Sequence, residues 1–287
     1  MELFRSLAAL VEPPVAGLAP VADVLEMGPL PAAAEHTELF TFQLYPYASV
    51  YLGPEGMMGG IARDRIAGFY VAMKQTPPPE PDHLTDLLAF YAYLCGHEAP
   101  ADKPVAAEAL RHVRKAFLWE HLISWLPPYL QKVRELAGPF YQQWAVLMEL
   151  VLAQEAAKFG EPEQISSHLL DAPGVVDPRE SAFSAFQDSL LASVRSGMIL
   201  TRADLLTAAR QLNIGVRLGE RKYILTALFE QDAPGMLEWL AAQAQIWVGR
   251  HQESSKTFGE TSLYWEAKAA AGVKLLVDLK AGAGAKS

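Results

Sequence analysis

The stretch that decides the fold class is Phe140-Tyr141-Gln142-Gln143-Trp144-Ala145-Val146-Leu147-Met148-Glu149-Leu150-Val151-Leu152-Ala153-Gln154-Glu155-Ala156-Ala157-Lys158. Trp144, Leu147, Met148, Val151 and Leu152 recur at three- and four-residue intervals, which is the period of an α-helix. The run is too long for an ordinary strand and carries few charges, so it reads as a buried helix. The same period continues outward. Val105 to Leu126 carries Leu110, Val113 and Phe117 in register, and Pro127 and Pro128 are expected to end or kink it. Before it, Leu84, Leu87, Leu88, Tyr91 and Leu94 form one stripe, with Asp82 placed as the N-cap. Ile61 to Met73 puts Ile66, Phe69, Tyr70 and Met73 on one side. Leu3, Leu7, Leu10 and Val11 open the chain as a short helix, stopped by Pro13 and Pro14. Residues 12–36 read as an extended wrap with one short helix at Val21–Met27.

Toward the C-terminus, Gly160, Pro162, Pro173, Gly174 and Pro178 mark a linker, bounded as 161–180. It divides a helical domain, 1–160, from a C-terminal helical subdomain, 181–287, with a frayed Gly/Ala/Lys tail. In that subdomain Phe183, Phe186, Leu190 and Val194 form a stripe. Thr201-Arg202-Ala203-Asp204 has the form of a capping box with Asp in place of Glu. Asn213–Gly219 is a turn, Glu220–Phe229 a helix, and Leu237, Leu240, Ala244 and Trp247 mark another. His251–Ser262 is polar and reads as a loop before a last helix over Leu263–Leu279. No solenoid-type repeat is visible. The expected fold is all-α, a multi-helix bundle with an added C-terminal helical part. Phe186, Leu190, Trp239, Leu240 and Trp247 give that part too much apolar surface to leave exposed. It is expected to pack on the N-terminal part or on a second copy, which makes a homodimer one of two outcomes.

Ala and Leu outnumber Val, Ile and Thr, which agrees with helix. The formal net charge of −9 disfavours a nucleic-acid backbone or an anionic membrane as partner and suits a basic one. The single cysteine, Cys95, allows no internal disulfide and fits a reducing cytoplasm. No run is long and apolar enough to span a bilayer, and the start has no export-signal pattern.

The residues offer little for catalysis. The glycines at 53, 56, 59 and 60 lack the Gly-Lys-Ser/Thr ending of a phosphate loop and read as a flexible turn. Asp82 and His83 are adjacent, so on a helix their side chains diverge by about 100° and form no dyad by themselves. His121 shares a face with Trp125 and Phe117, and no second ligand stands at metal spacing. Cys95 has no activating motif. No enzyme activity, metal or cofactor is therefore expected. Two charge runs stand out. Glu80, Asp82, Asp86, Glu98 and Asp102 occur without an intervening Lys or Arg, and Arg195–Lys222 holds six bases against Asp204 and Glu220. Each can be a solvated face, and the acidic run can also receive a basic peptide.

Four stretches occur together, in order. They are Tyr45-Pro46-Tyr47-Ala48-Ser49-Val50-Tyr51, Glu80-Pro81-Asp82-His83-Leu84, Phe117 followed by His121-Leu122-Ile123-Ser124-Trp125, and Pro139-Phe140-Tyr141. In this the sequence resembles the TorD/DmsD/NarJ group of redox-enzyme maturation chaperones, over roughly residues 36–160. The resemblance implies an all-helical cytoplasmic protein. It would bind the twin-arginine signal peptide of a molybdenum-cofactor oxidoreductase, hold the apoenzyme during cofactor insertion and delay export. Carried over, the peptide site would include Pro46, Tyr47, Tyr51, Pro81, Asp82 and His83. His121 and Trp125 are candidates on the facing helix. A twin-arginine peptide has a basic start and an apolar run, so its receptor needs an acidic rim beside an aromatic groove. Asp82 would serve as both helix cap and arginine acceptor. The alternative reading is a general helical interaction or scaffold protein without a signal-peptide client.

Overall fold

A computed structural model describes residues 2–97 and 104–284. Glu98 and Asp102 of the acidic run, and the last three residues of the tail, lie outside the described residues. The chain forms two compact units. One comprises Met1–Ser49 and Met58–Leu170, the other Val50–Met57 and Asp171–Ser287. The architecture is all-α. Among the described residues the only β pairing is one isolated antiparallel bridge, between Tyr47 and His83.

In the first unit the opening helix, Glu2–Ala9, lies on the helix Leu84–Gly96. Phe4 meets Tyr91 edge to face at 4.8 Å, and the Trp144 indole donates to the Leu7 carbonyl at 3.0 Å. Burying side chains the size of Phe4 and Leu7 stabilises by about 1.5–3 kcal/mol each. The helices Leu126–Leu136 and Pro139–Phe159 pack against each other across the short connection Ala137-Gly138. Pro127 and Pro128 stand at the start of the first of these, where a missing N–H removes no helical bond. They open that helix. The chain before them, Pro104–Phe117, runs into a π-helical stretch, Leu118–Ile123. A second π-helical stretch, Thr37–Gln43, follows Ala33–His36. The wrap before it contains a 3₁₀ turn, Ala16–Leu18, and a short helix, Ala19–Val24.

One capping assignment is corrected. The N-cap of Leu84–Gly96 is His83, not Asp82: His83 Nδ1 accepts the Thr85 N–H at 3.3 Å. Asp82 is one residue too early to reach the free N–H groups of the first turn, and its carboxylate is engaged elsewhere.

In the second unit, Phe183–Leu191 and Arg202–Gln211 each pack on Arg221–Gln231, which in turn packs on the long helical segment Ala233–Gly284. The capping box forms: Thr201 N–H donates to Asp204 Oδ2 at 2.7 Å and Asp204 N–H to Thr201 Oγ1 at 3.3 Å. At least three of the six bases of 195–222 bond within this unit. Arg195 donates to the Gly174 carbonyl, Arg221 to the Leu200 carbonyl, and Lys222 pairs with Asp188. Lys268 donates to the Ala172 carbonyl, so residues 172–174 are fastened to this unit from two sides.

His251–Ser262 is helical on both sides of a single break at Gly259 (φ 47°, ψ −130°), against the expectation of a loop. The reason is that its polar residues are a buried stripe. His251, Ser254 and Phe258 recur at helical spacing before the break, Ser262 and Trp265 follow it, and all are buried. His251 Nε2 lies 2.8 Å from the Gly197 carbonyl, and Ser262 donates to Ser254 at 3.0 Å. Gly259 reverses the chain, because Gln252 then meets Glu266 and Glu238 meets Lys280. The result is a helical hairpin.

Among the described residues no helix is long and apolar enough to cross a membrane.

Candidate functional site

The bridge between Tyr47 and His83 is the scaffold of the site. Ala48 N–H donates to the Asp82 carbonyl at 2.9 Å, and Leu84 N–H to the Pro46 carbonyl at 2.8 Å. Two prolines make this local extended geometry natural: Pro46 and Pro81 each disfavour helix in the residue before them, so neither segment starts its helix early. The bridge ends where Leu84–Gly96 begins. Pro46, Tyr47, Pro81, Asp82 and His83 are thereby brought together.

Their exposures differ, and that fixes what each can do. Pro46 and Pro81 are buried. Asp82 is 3% exposed; its Oδ2 accepts the Ser49 hydroxyl at 2.5 Å and the Ser49 N–H at 3.4 Å. Ser49 Oγ in turn accepts the Gly59 N–H at 3.0 Å. Gly59 and the following Gly60 both have positive φ, 89° and 67°, which L side chains rarely adopt. The Asp82–Ser49–Gly59 relay therefore fixes where the glycine turn ends and the helix Gly60–Ala72 begins.

Tyr47 and His83 are half-buried and reach the surface. Their rings meet edge to face at 4.8 Å, and Tyr47 Oη donates to Glu80 at 2.7 Å. Partial burial, then this hydrogen bond, then the charges of Glu80, Asp82 and Glu12 hold the Tyr47 hydroxyl well above its ordinary pKa, so it stays a donor. Asp86 is likewise raised, by burial first; His83 opposes the rise, and the charges of Glu12, Glu80 and Asp82 add to it. Glu12, Glu80, Asp82 and Asp86 thus share one negative field around two aromatic rings. Glu12 lies 4.0 Å from His83 Nδ1, farther than the Thr85 N–H that Nδ1 caps. One nitrogen cannot accept from Thr85 and donate to Glu12, and the shorter, cap contact is the one that holds. The exposed acids are Glu12 and Glu80.

The remaining candidates sit elsewhere. Tyr51 is 3% exposed and belongs to the second unit. His121, 2% exposed, lies on the π-helical stretch against Phe69 at 5.3 Å and Phe117 at 5.2 Å. Its Nδ1 is 3.4 Å from Nε2 of His168; burial and the neighbouring imidazole both push its pKa well below the ordinary value. Trp125 is fully buried, donates to the His121 carbonyl at 2.9 Å and meets the Tyr129 ring in a tilted contact at 5.1 Å. Glu120, next to His121, accepts from Ser167 N–H and hydroxyl and so binds residues 166–168 to this stretch. Ser49, Glu12 and His168 were not singled out from the sequence. Ser49 stands in the Tyr-Pro-Tyr-Ala-Ser motif, whereas Glu12 and His168 carry no local signal.

Residues 5–131 match a family model described as nitrate reductase delta subunit. The likeness to that family covers less than half of the chain. The bridge, its acids, His121 and Trp125 all fall inside the family match, while the helix Pro139–Phe159 and everything from Asp171 onward fall outside it. Three curated relatives are named chaperones. The chain is 33% identical to chaperone protein TorD of Shewanella pealeana over 134 residues, 41% of this chain and 56% of that protein. It is 31% identical to the chlorate reductase assembly chaperone protein of Ideonella dechloratans over 123 residues, 40% of this chain and 64% of that protein. It is 34% identical to the selenate reductase assembly chaperone protein of Thauera selenatis over 118 residues, 38% of this chain and 60% of that protein. The chain thus spans 56–64% of the length of these relatives.

Proposed function

We propose that this protein is a cytoplasmic maturation chaperone for a molybdenum-cofactor oxidoreductase, that it catalyses no reaction, and that it binds the apoenzyme through its N-terminal twin-arginine signal peptide. The observation that carries the reading is the acidic, aromatic patch around the Tyr47–His83 bridge, inside the region that matches the nitrate reductase delta subunit model. In this reading the residues divide their labour by exposure. Glu12 and Glu80 meet the arginines, and Tyr47 and His83 offer ring faces to the peptide. Pro46, Pro81 and Asp82 hold the frame. His121 and Trp125 support from the core of the first unit, and Tyr51 is sealed in the second, since buried side chains touch no ligand while the fold is closed. Asp82 is assigned to the frame because its carboxylate already accepts two bonds from Ser49.

The test is calorimetric titration of a synthetic twin-arginine signal peptide, with a twin-lysine peptide as control. Arginine should bind tighter than lysine, and the difference should shrink as salt rises. Glu12→Gln with Glu80→Gln should weaken binding by about 1 kcal/mol, a value kept small because both acids are solvent-exposed. Unchanged affinity at unchanged melting temperature would remove the patch from the site.

A further inference from the structure

The first unit holds a cavity of about 220 Å³ that shares no lining residue with the Tyr47–His83 patch. Its described lining is Leu94, Ala107, Leu110, Arg111, Arg114, Lys158 and Phe159: three cations, four apolar residues and no acid. The cations gather on one ring. Arg111 and Arg114 stand 5.1 Å from the Phe159 centroid, and Lys158 stands 5.7 Å from it. Attraction of cations to a ring face helps hold three like charges together.

The charge count decides what fits there. Arg114 is paired with Glu155, whose carboxylate also takes the Tyr91 hydroxyl at 2.5 Å. Among the described residues Arg111 and Lys158 make no ion pair. The blandest account is that they neutralise the C-terminal end of Pro139–Phe159, and Arg111 does donate to the Lys158 carbonyl at 3.0 Å. A helix end carries only about half a negative charge, however, so among the described residues roughly one and a half positive charges remain beside an open cavity. A phosphate monoester carries about −1.5 to −2 at pH 7 and matches that excess, whereas a carboxylate leaves part of it uncompensated. The cavity has the volume of about seven liquid waters at about 30 Å³ each, more than a bare phosphate fills. Leu94, Leu110 and the Phe159 ring give the surplus an apolar wall.

We infer that the Arg111–Lys158–Phe159 cavity is a binding site for a small phosphate monoester with an aromatic or apolar body. This site rests on no part of the signal-peptide reading. It is tested on the full chain by calorimetric titration of phenyl phosphate, with inorganic phosphate and benzoate as separate arms. Phenyl phosphate should bind with one-to-one stoichiometry, about tenfold or more tighter than either. Arg111→Gln with Lys158→Gln should lose about tenfold or more of that affinity. Ala107→Glu puts a carboxylate among the cations while leaving all three in place, and should abolish binding. It serves as the check if the double variant is unstable. Benzoate or inorganic phosphate binding as tightly as phenyl phosphate would overturn the inference. So would full affinity in a folded Ala107→Glu.

Discussion

His251 should make the second unit sensitive to mild acid, and the size of the effect follows from its surroundings. The imidazole is 1% exposed, between Trp247 at 5.3 Å and Trp265 at 6.1 Å. Burial outweighs its hydrogen bond to Gly197 and lowers its pKa from 6.5 to about 4. Between those values the unfolded chain holds a proton that the folded unit refuses. Stability from this group is therefore complete above pH 6.5 and is lost as pH falls toward 4. Linkage puts the loss at about 2 kcal/mol between pH 7.5 and pH 5. Gln is the informative replacement, because it keeps a donor for the Gly197 carbonyl and does not titrate. His251→Gln should lower stability at pH 7.5 through lost ring packing. Its urea midpoint, followed by circular dichroism, should then move less with pH than that of the wild type, by about those 2 kcal/mol. Parallel pH profiles for the two proteins would show that His251 is protonated without cost in the folded state, and the burial argument would fail.

Other changes should sort the structural roles. Gly197 has φ 70°, and a Cβ there would collide with backbone atoms of Trp265 and Ala269, so Gly197→Ala should cost about 3 kcal/mol or more by thermal melting. A loss under 1 kcal/mol would mean the hairpin moves aside easily. Thr201→Ala removes one half of a buried capping box and should cost about 1 kcal/mol, while a Thr201→Ser variant should recover most of it. Asp82→Asn should leave helix content unchanged, because His83 is the cap. It should nonetheless speed amide exchange at Gly59, whose N–H is held through Ser49; unchanged exchange there would break the relay. A fragment of residues 171–287 lacks Val50–Met57, which belong to the same unit, and should melt at a lower temperature than that unit in the whole chain; an equal melting temperature would make the 50–57 segment dispensable.

The sequence carried the helices through their apolar stripes, and the stripe of Leu84, Leu87, Leu88, Tyr91 and Leu94 needed nothing else. It failed where polarity and burial part company. His251, Ser254 and Ser262 look like a loop by composition, yet they stand in helix on either side of Gly259 and bury their polar groups in hydrogen bonds. Pro127 and Pro128 signal a break, but a proline pair reads the same at the end of one helix as at the start of the next. At the candidate site, local spacing made Asp82 the helix cap, a place that His83 takes. The partner of Asp82, Ser49, is thirty-three residues away and is brought close only by the bridge. His121 and Trp125 share a face as their spacing requires, but spacing does not say whether a face meets solvent or core, and here it is core.

The reversal at Gly259 couples the lengths of two segments distant in sequence. Gln252 and Glu266 each lie seven residues from it, and Glu238 and Lys280 each twenty-one. The arms behave like the two halves of a closed zip. One residue inserted into a single arm would turn everything beyond it by about 100° and slide it by about 1.5 Å, carrying the buried stripe toward solvent. Growth or shortening of this part of the chain would therefore have to occur in both arms at once or at their far ends, with the fold point left in place.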